Sequence, residues 1–258
     1  MLAPRPFAPL GREVFPLGLA CSHGIDAAGV AAALEGPAQY IYWTPRHRRT
    51  TAAVKAALGR DRGRYVLATG PTTAWVGAPL RAWVDRVRRS LGVDTIDVLL
   101  LHWLGVTSAW TEGTQEALHA LKASGAVRAI GASIHDRPVA ARLAAARALD
   151  TFMLRYNAAH PGAEVDCFPA VDAGSQAVVA YTATAWGKLL RRPGGWEGRV
   201  PTPGDCYRFA LGSPRVSVVL SAPASAAQWE ENLAAVQAGP LHPDDDAWMR
   251  AFGRVVHG

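Results

Sequence analysis

The sequence has little cysteine, little lysine and no long apolar run, and each scarcity removes a class of answer. Three cysteines, Cys21, Cys167 and Cys206, are an odd number without metal-ligand spacing, which argues against a disulfide framework or a zinc module and leaves reduced thiols. No metal site is expected. Lysine occurs only as Lys55, Lys122 and Lys188, so the net charge of +6 at pH 7 is carried by arginine. Those arginines alternate with acids, as around Asp85, and form neither a basic stripe nor a finger motif. Nucleic acid is therefore not an expected partner. No stretch approaches the roughly 20 apolar residues of a membrane span, and the opening Met-Leu-Ala-Pro-Arg-Pro lacks the apolar block of a secretion signal. The expectation is a cytoplasmic protein with a small-molecule substrate and no membrane partner. Its oligomeric state is not readable.

What the chain does have is apolar material. Half of its 258 residues are hydrophobic and 19% are charged, which excludes disorder and suffices for a sizeable core. Eight short apolar, β-branched runs alternate with amphipathic segments: Val14 to Ala20, Gln39 to Thr44, Tyr65 to Thr69, Ile96 to His102, Val127 to Ser133, Phe152 to Asn157, Ala177 to Thr182 and Val216 to Ser221. The clearest helices are Ala27 to Glu35, Pro79 to Leu91, Thr111 to Ala123, Pro138 to Leu149 and Ala226 to Ala238, with a further one from Asp244 to Val256. Pro193 to Gly204, rich in glycine and proline, reads as a surface loop. Eight strand–helix units in this length predict an α/β protein, a (β/α)8 TIM barrel occupying residues 1–258 as one domain. An open Rossmann sheet would want G-x-G-x-x-G after the first strand, where the chain reads Ala20-Cys-Ser-His-Gly24.

In such a barrel, function collects at the C-terminal ends of the strands. That rule selects Cys21, Ser22 and His23, Tyr42 to His47, Gly70, His102 and Trp103, Ser133 and His135, Asn157, Tyr181 and Thr182, and Ser221 to Ser225. Trp43, Trp75, Trp103, Trp110 and Trp186 all fall on the same face and predict an aromatic pocket for a large apolar or planar substrate. Blander readings stand beside these. Tyr42 and Trp43 could be barrel packing, His47 could open a solvated basic turn, and Cys21 is more simply a small buried hydrophobe than a nucleophile.

Leu91-Gly-Val-Asp-Thr-Ile-Asp-Val-Leu-Leu-Leu-His102 resembles the fourth-strand signature of the aldo/keto reductases, in which the terminal histidine lies in the active site. Gly125 to Ser133 resembles the family's fifth strand, Arg155-Tyr-Asn157 its sixth, Ala180-Tyr-Thr182 its seventh, and Gln228-Trp-Glu-Glu-Asn232 its last cofactor-binding helix. The resemblance implies NADP(H)-linked carbonyl reduction by an Asp, Tyr, Lys and His tetrad. Of these only His102 is present. Tyr42 stands at the Asp position, His47 at the Tyr position and Gly70 at the Lys position. The tetrad is thus degenerate, and His102, Tyr42 and His47 are the catalytic candidates.

The same resemblance assigns cofactor contacts to Ser133, Asn157, Tyr181, Thr182, Ser225, Gln228 and Asn232. Other cofactor positions depart from it: Ile134 replaces an Asn, Met153 a Gln, and Ala224 the Arg expected near the adenosine 2′-phosphate. A dinucleotide, if used, should bind weakly. Two functions stay open: a divergent reductase of a hydrophobic or aromatic carbonyl compound, and a cofactor-independent lyase, isomerase, cyclase or binding protein on the same barrel. In either, His102 and Tyr42 are expected to form the proton-transfer pair, with His102 titrating near neutrality.

Overall fold

The computed structural model describes residues 2–257; Met1 and Gly258, the ends of the expected domain span, lie outside the described residues. Eight strands close into a parallel barrel: β3 (Leu17–Ala20), β4 (Tyr40–Tyr42), β5 (Val66–Thr69), β6 (Ile96–Leu104), β7 (Val127–Ile134), β8 (Thr151–Arg155), β9 (Ala177–Tyr181) and β10 (Val216–Ser221), with β10 pairing back to β3. Helices α1 (Ala27–Glu35), α2 (Thr51–Arg60), α3 (Ala78–Leu91), α4 (Glu112–Ala123), α5 (Arg137–Ala145), α6 (Ala163–Asp166), α7 (Pro203–Gly212), α8 (Ala226–Gln237) and α9 (Pro243–His257) complete it. The barrel expected from the sequence is the barrel found.

Strand alternation divides the core in two. Tyr40, Val66, Val98, Leu100, Ala129, Val179 and Val218 fill the barrel, while their outward neighbours such as Ile41, Leu67, Leu99 and Val178 pack under the helices. Helix starts are fixed by side-chain caps: Asp26, Thr111, Asp136, Thr202 and Ser225 each accept the backbone N–H three residues on. Each such cap contributes about 1 kcal/mol. Asp97, buried at the base of β6, accepts from Leu67 N and from Arg62 and Arg128, tying β5 to β6.

Several boundaries differ from expectation. The first run is not one strand: Val14 ends β2 (Arg12–Val14), which pairs with β1 (Arg5–Phe7) in an antiparallel hairpin, and the barrel strand begins only at Leu17. Pro16 supplies the break, because it has no N–H to continue a ladder. The hairpin plugs the N-terminal end of the barrel, with Phe7 and Val14 fully buried in the inner core and the Phe7 ring 5.6 Å from that of Tyr40. The loop expected up to Gly204 ends two residues sooner, since Thr202 and Asp205 form a capping box and Pro203 starts α7. The helix expected to reach Leu149 stops at Ala145, before Arg147 at φ +51°. β6 runs two residues past His102 to Leu104, with its register against β7 shifting between Leu101 and Leu104.

Candidate active site

Tyr42 ends β4 on the same face as inward-pointing Tyr40, and His102 shares the inward face of β6 with Val98 and Leu100. The two side chains meet. Tyr42 Oη lies 2.7 Å from His102 Nε2, with ring centroids 5.6 Å apart. The His102 carbonyl is pinned by the hydroxyls of Ser108 (2.6 Å) and Thr107 (3.0 Å), so the irregular end of the strand is held where it turns.

Position 70 explains how this pair fits. A Cβ built on Gly70 would lie 2.0 Å from the Leu100 carbonyl oxygen and 3.2 Å from His102 Nε2. No side chain, lysine included, can occupy this position on the present backbone. His102 borders the space that a side chain there would need.

Burial sets the protonation of both partners. It pushes the Tyr42 phenol well above its ordinary value. It lowers His102 to about 4, with the His47 charge acting the same way and a hydrogen bond to the Pro71 carbonyl opposing it. The expectation that His102 titrates near neutrality is therefore corrected: desolvation outweighs the hydrogen bond, and the imidazole is neutral at physiological pH. His47 lies beside the pair, its ring 6.3 Å from that of Tyr42, and its Nδ1 accepts from Thr44 N at 3.2 Å. Burial, then Arg46, lowers its pKa also.

A cavity of about 430 Å³ opens above Tyr42, with Ala20, Met153, Tyr181 and Leu220 at the strand ends around it. Gln228, Glu231 and Asn232 form one wall; they fall at i, i+3 and i+4, hence on one face of α8. Thr182 and Trp186 form part of another wall, in a loop where Thr182, Ala185, Trp186 and Gly187 all take left-handed φ between +50° and +79°. The three non-glycine residues among them, Thr182, Ala185 and Trp186, store strain of the kind that concentrates at ligand sites. Ser22 and His23 reach the cavity from the first barrel loop.

The sequence-predicted cofactor residues divide. Tyr181, Thr182, Gln228 and Asn232 line the cavity. Ser133 is buried behind Tyr181, its hydroxyl 3.5 Å from the Tyr181 oxygen. Asn157 and Ser225 are off the wall: Asn157 donates to Thr182 O and accepts from Ala159 N and His160 N, and Ser225 caps α8. Both position the loops rather than face the cavity.

The five-tryptophan pocket is not what the structure builds. Of the five, only Trp186 lines the cavity. Trp43 follows inward-facing Tyr42, so it points outward into the core beneath the helices, with its Nε1 donating to His47 O. Trp110 packs on the outside of the same core, and Trp75 and Trp103 are exposed on the rim loops. Sequence reasoning missed Glu231 and Tyr207, both on the cavity wall. The helical spacing from Gln228 and Asn232 was a usable signal for Glu231; nothing comparable marked Tyr207, which lies on a helix disguised by Pro203 and Gly204.

Residues 78–194 match the aldo/keto reductase family model. No curated protein matches the chain. Among solved structures, the holo form of aldo-keto reductase AKR11C1 from Bacillus halodurans aligns with a TM-score of 0.78 at 23% identity, over 94% of this chain and 93% of that one. The aldo/keto reductase from Klebsiella pneumoniae in complex with NADP and acetate aligns with a TM-score of 0.78 at 21% identity, over 98% and 96% of the two chains. The chain is thus folded as an aldo/keto reductase barrel and carries that family's sequence pattern through residues 78–194.

Proposed function

We propose that the chain is a divergent aldo/keto reductase-type oxidoreductase that uses a nicotinamide dinucleotide on a hydrophobic or aromatic carbonyl compound. The observation that carries this reading is the 2.7 Å contact of Tyr42 Oη, on the wall of a cavity that Tyr181 also lines, with His102 Nε2 behind it. The fold, and a neighbour of that fold in complex with NADP, support it.

The residues present fit part of such a cofactor. The Tyr181 ring offers a face for a planar group, and Gln228, Glu231 and Asn232 offer amide and carboxylate partners along α8. They do not fit a 2′-phosphate, because no lysine or arginine lines the cavity and Glu231 does. The group that fits is a dinucleotide with little preference for the extra phosphate. When bound, it would supply the hydride.

The chain's own residues supply the proton. A phenol with a raised pKa keeps its proton at neutral pH and remains a donor. Neutral His102 has a single N–H, which the Pro71 carbonyl takes, so in the 2.7 Å pair the Tyr42 hydroxyl donates and His102 Nε2 accepts. The pair holds the tyrosine hydroxyl at the cavity wall, and when substrate is bound the O–H turns from His102 to the substrate oxygen, to which its proton passes. The proton donor in this scheme is Tyr42, and His102 positions it, because burial lowers His102 to about 4 and leaves the imidazole neutral.

Titration of NADH and NADPH against tryptophan fluorescence tests the reading, with Trp186 on the cavity wall as reporter. Both should bind with dissociation constants within about tenfold of each other, since no charge-assisted contact distinguishes them. Failure of both to bind would leave the second reading, a cofactor-independent enzyme or binding protein. That alternative draws on Gly70, Ile134 and Met153, none of which offers the polar group the family pattern calls for.

A further inference from the structure

Beside Tyr181 the barrel rim carries positive charge that the mechanism above does not use. Arg155 ends β8 two residues after Met153, which lines the cavity, so alternation puts its side chain on the same inward face. It is paired in register with Tyr181 across the β8–β9 ladder. The Tyr181 hydroxyl lies 2.8 Å from His135 Nε2, and the His135 ring stands edge-on to both Tyr181 and Trp103. On the other side of Arg155, His160 is held by Asn157 Oδ1 at 3.1 Å and meets His257 edge-on at 4.9 Å.

This charge is uncompensated. Among the described residues, the Arg155 guanidinium has no hydrogen-bond or ion-pair partner, and neither has the Lys188 ammonium. The acids nearby are already engaged: Asp136 caps α5, Asp166 pairs with Arg137, and Glu164 pairs with Arg250. Burial lowers His160 to about 4, and Arg155, His257, Arg137 and Lys188 all push the same way. His135 is lowered by burial and then by Arg155. A half-buried arginine with no counter-ion, at the inward strand position after cavity-lining Met153 and beside Tyr181, is arranged to receive an anion from solution.

We propose that Arg155, with His135 and His160 beside it, forms a carboxylate subsite at the edge of the cavity, and that the ligand is an aromatic or other planar apolar acid. Its ring lies in the cavity and its carboxylate reaches Arg155. This deepens the substrate class of the proposed site and rests on the reading of the cavity as the ligand site; it does not require the dinucleotide.

The test compares 2-naphthoate with the isosteric neutral 2-naphthamide, titrated in the absence of dinucleotide and followed by tryptophan fluorescence. The acid should bind about tenfold to a hundredfold more tightly, as expected for one charge-assisted contact. Arg155→Gln should remove that preference while leaving naphthamide affinity unchanged. Arg86→Gln, an equal change in net charge on the exposed face of α3, should leave the preference intact. Equal binding of acid and amide, no saturable binding of either, or loss of the preference in Arg86→Gln as well would overturn the proposal. It would also fall if Arg155→Gln weakened NADH as much as naphthoate, since the cluster would then serve the dinucleotide's phosphates. Failure of NADH to bind the parent protein, with the acid preference intact, would overturn the reductase reading and leave the subsite standing.

Discussion

Burial fixes the charge state of Tyr42 and His102 before a substrate arrives, and the expected pH behaviour follows. With His102 near about 4 and Tyr42 above its usual range, turnover should be flat across neutrality and fall only toward about pH 4. A pH profile of kcat with a break between pH 6 and 7 would contradict this assignment. Tyr42→Phe removes the donor and should cost on the order of 10²-fold or more in turnover, whereas His102→Gln, which keeps a side-chain acceptor for the Tyr42 hydroxyl, should cost less. The same burial links His102 to stability. An unfolded imidazole titrates near 6.5, so as pH falls below that value the unfolded chain takes up the proton first. Stability therefore declines between about pH 6.5 and about pH 4 and levels off below, by up to about 3 kcal/mol from this group. Urea unfolding of His102→Gln should show a shallower decline over that interval; an unchanged slope would count against a buried neutral histidine. Gly70 gives a separate check: Gly70→Ala forces a methyl against the Leu100 carbonyl and should destabilise by about 1 to 3 kcal/mol.

At the scale of elements, the strands and the long helices were legible because their signals are periodic. Val216 to Ser221 and Ala27 to Glu35 lie where their apolar spacing places them. Helix α2 was not among the clear helices, because only Val54, Ala57 and Leu58 form its buried face. The tryptophans misled because a residue's position near a strand end does not say which way it points; one step beyond Tyr42, Trp43 faces the opposite layer. The depressed His102 pKa was not legible at all, since desolvation depends on what the rest of the chain packs around the ring. The wall of α8 makes its own prediction. Gln228→Arg would place a cation on the cavity face, and it should tighten NADPH relative to NADH by about tenfold or more. The ratio of the two dissociation constants measures this, and an unchanged ratio would show that the adenosine end lies elsewhere.

For the molecule as a whole, the closed order of strands and the ring of helices were readable from eight repeats of one pattern, while the N-terminal hairpin was not. Its residues Arg5–Phe7 and Arg12–Val14 are too short to announce themselves, and their role depends on contact with Tyr40 across the barrel. That plug has a kinetic consequence. With Phe7 and Val14 sealing one end, the cavity is a blind pit, and everything that enters must leave past the same loops. Two ligands cannot then come and go independently: the one seated deeper must arrive first and depart last. If the protein turns over a cofactor and a substrate in this pit, steady-state kinetics should obey a compulsory order, with product inhibition competitive only between the two species that bind the empty barrel. A random-order pattern would mean that the rim loops open a second way in.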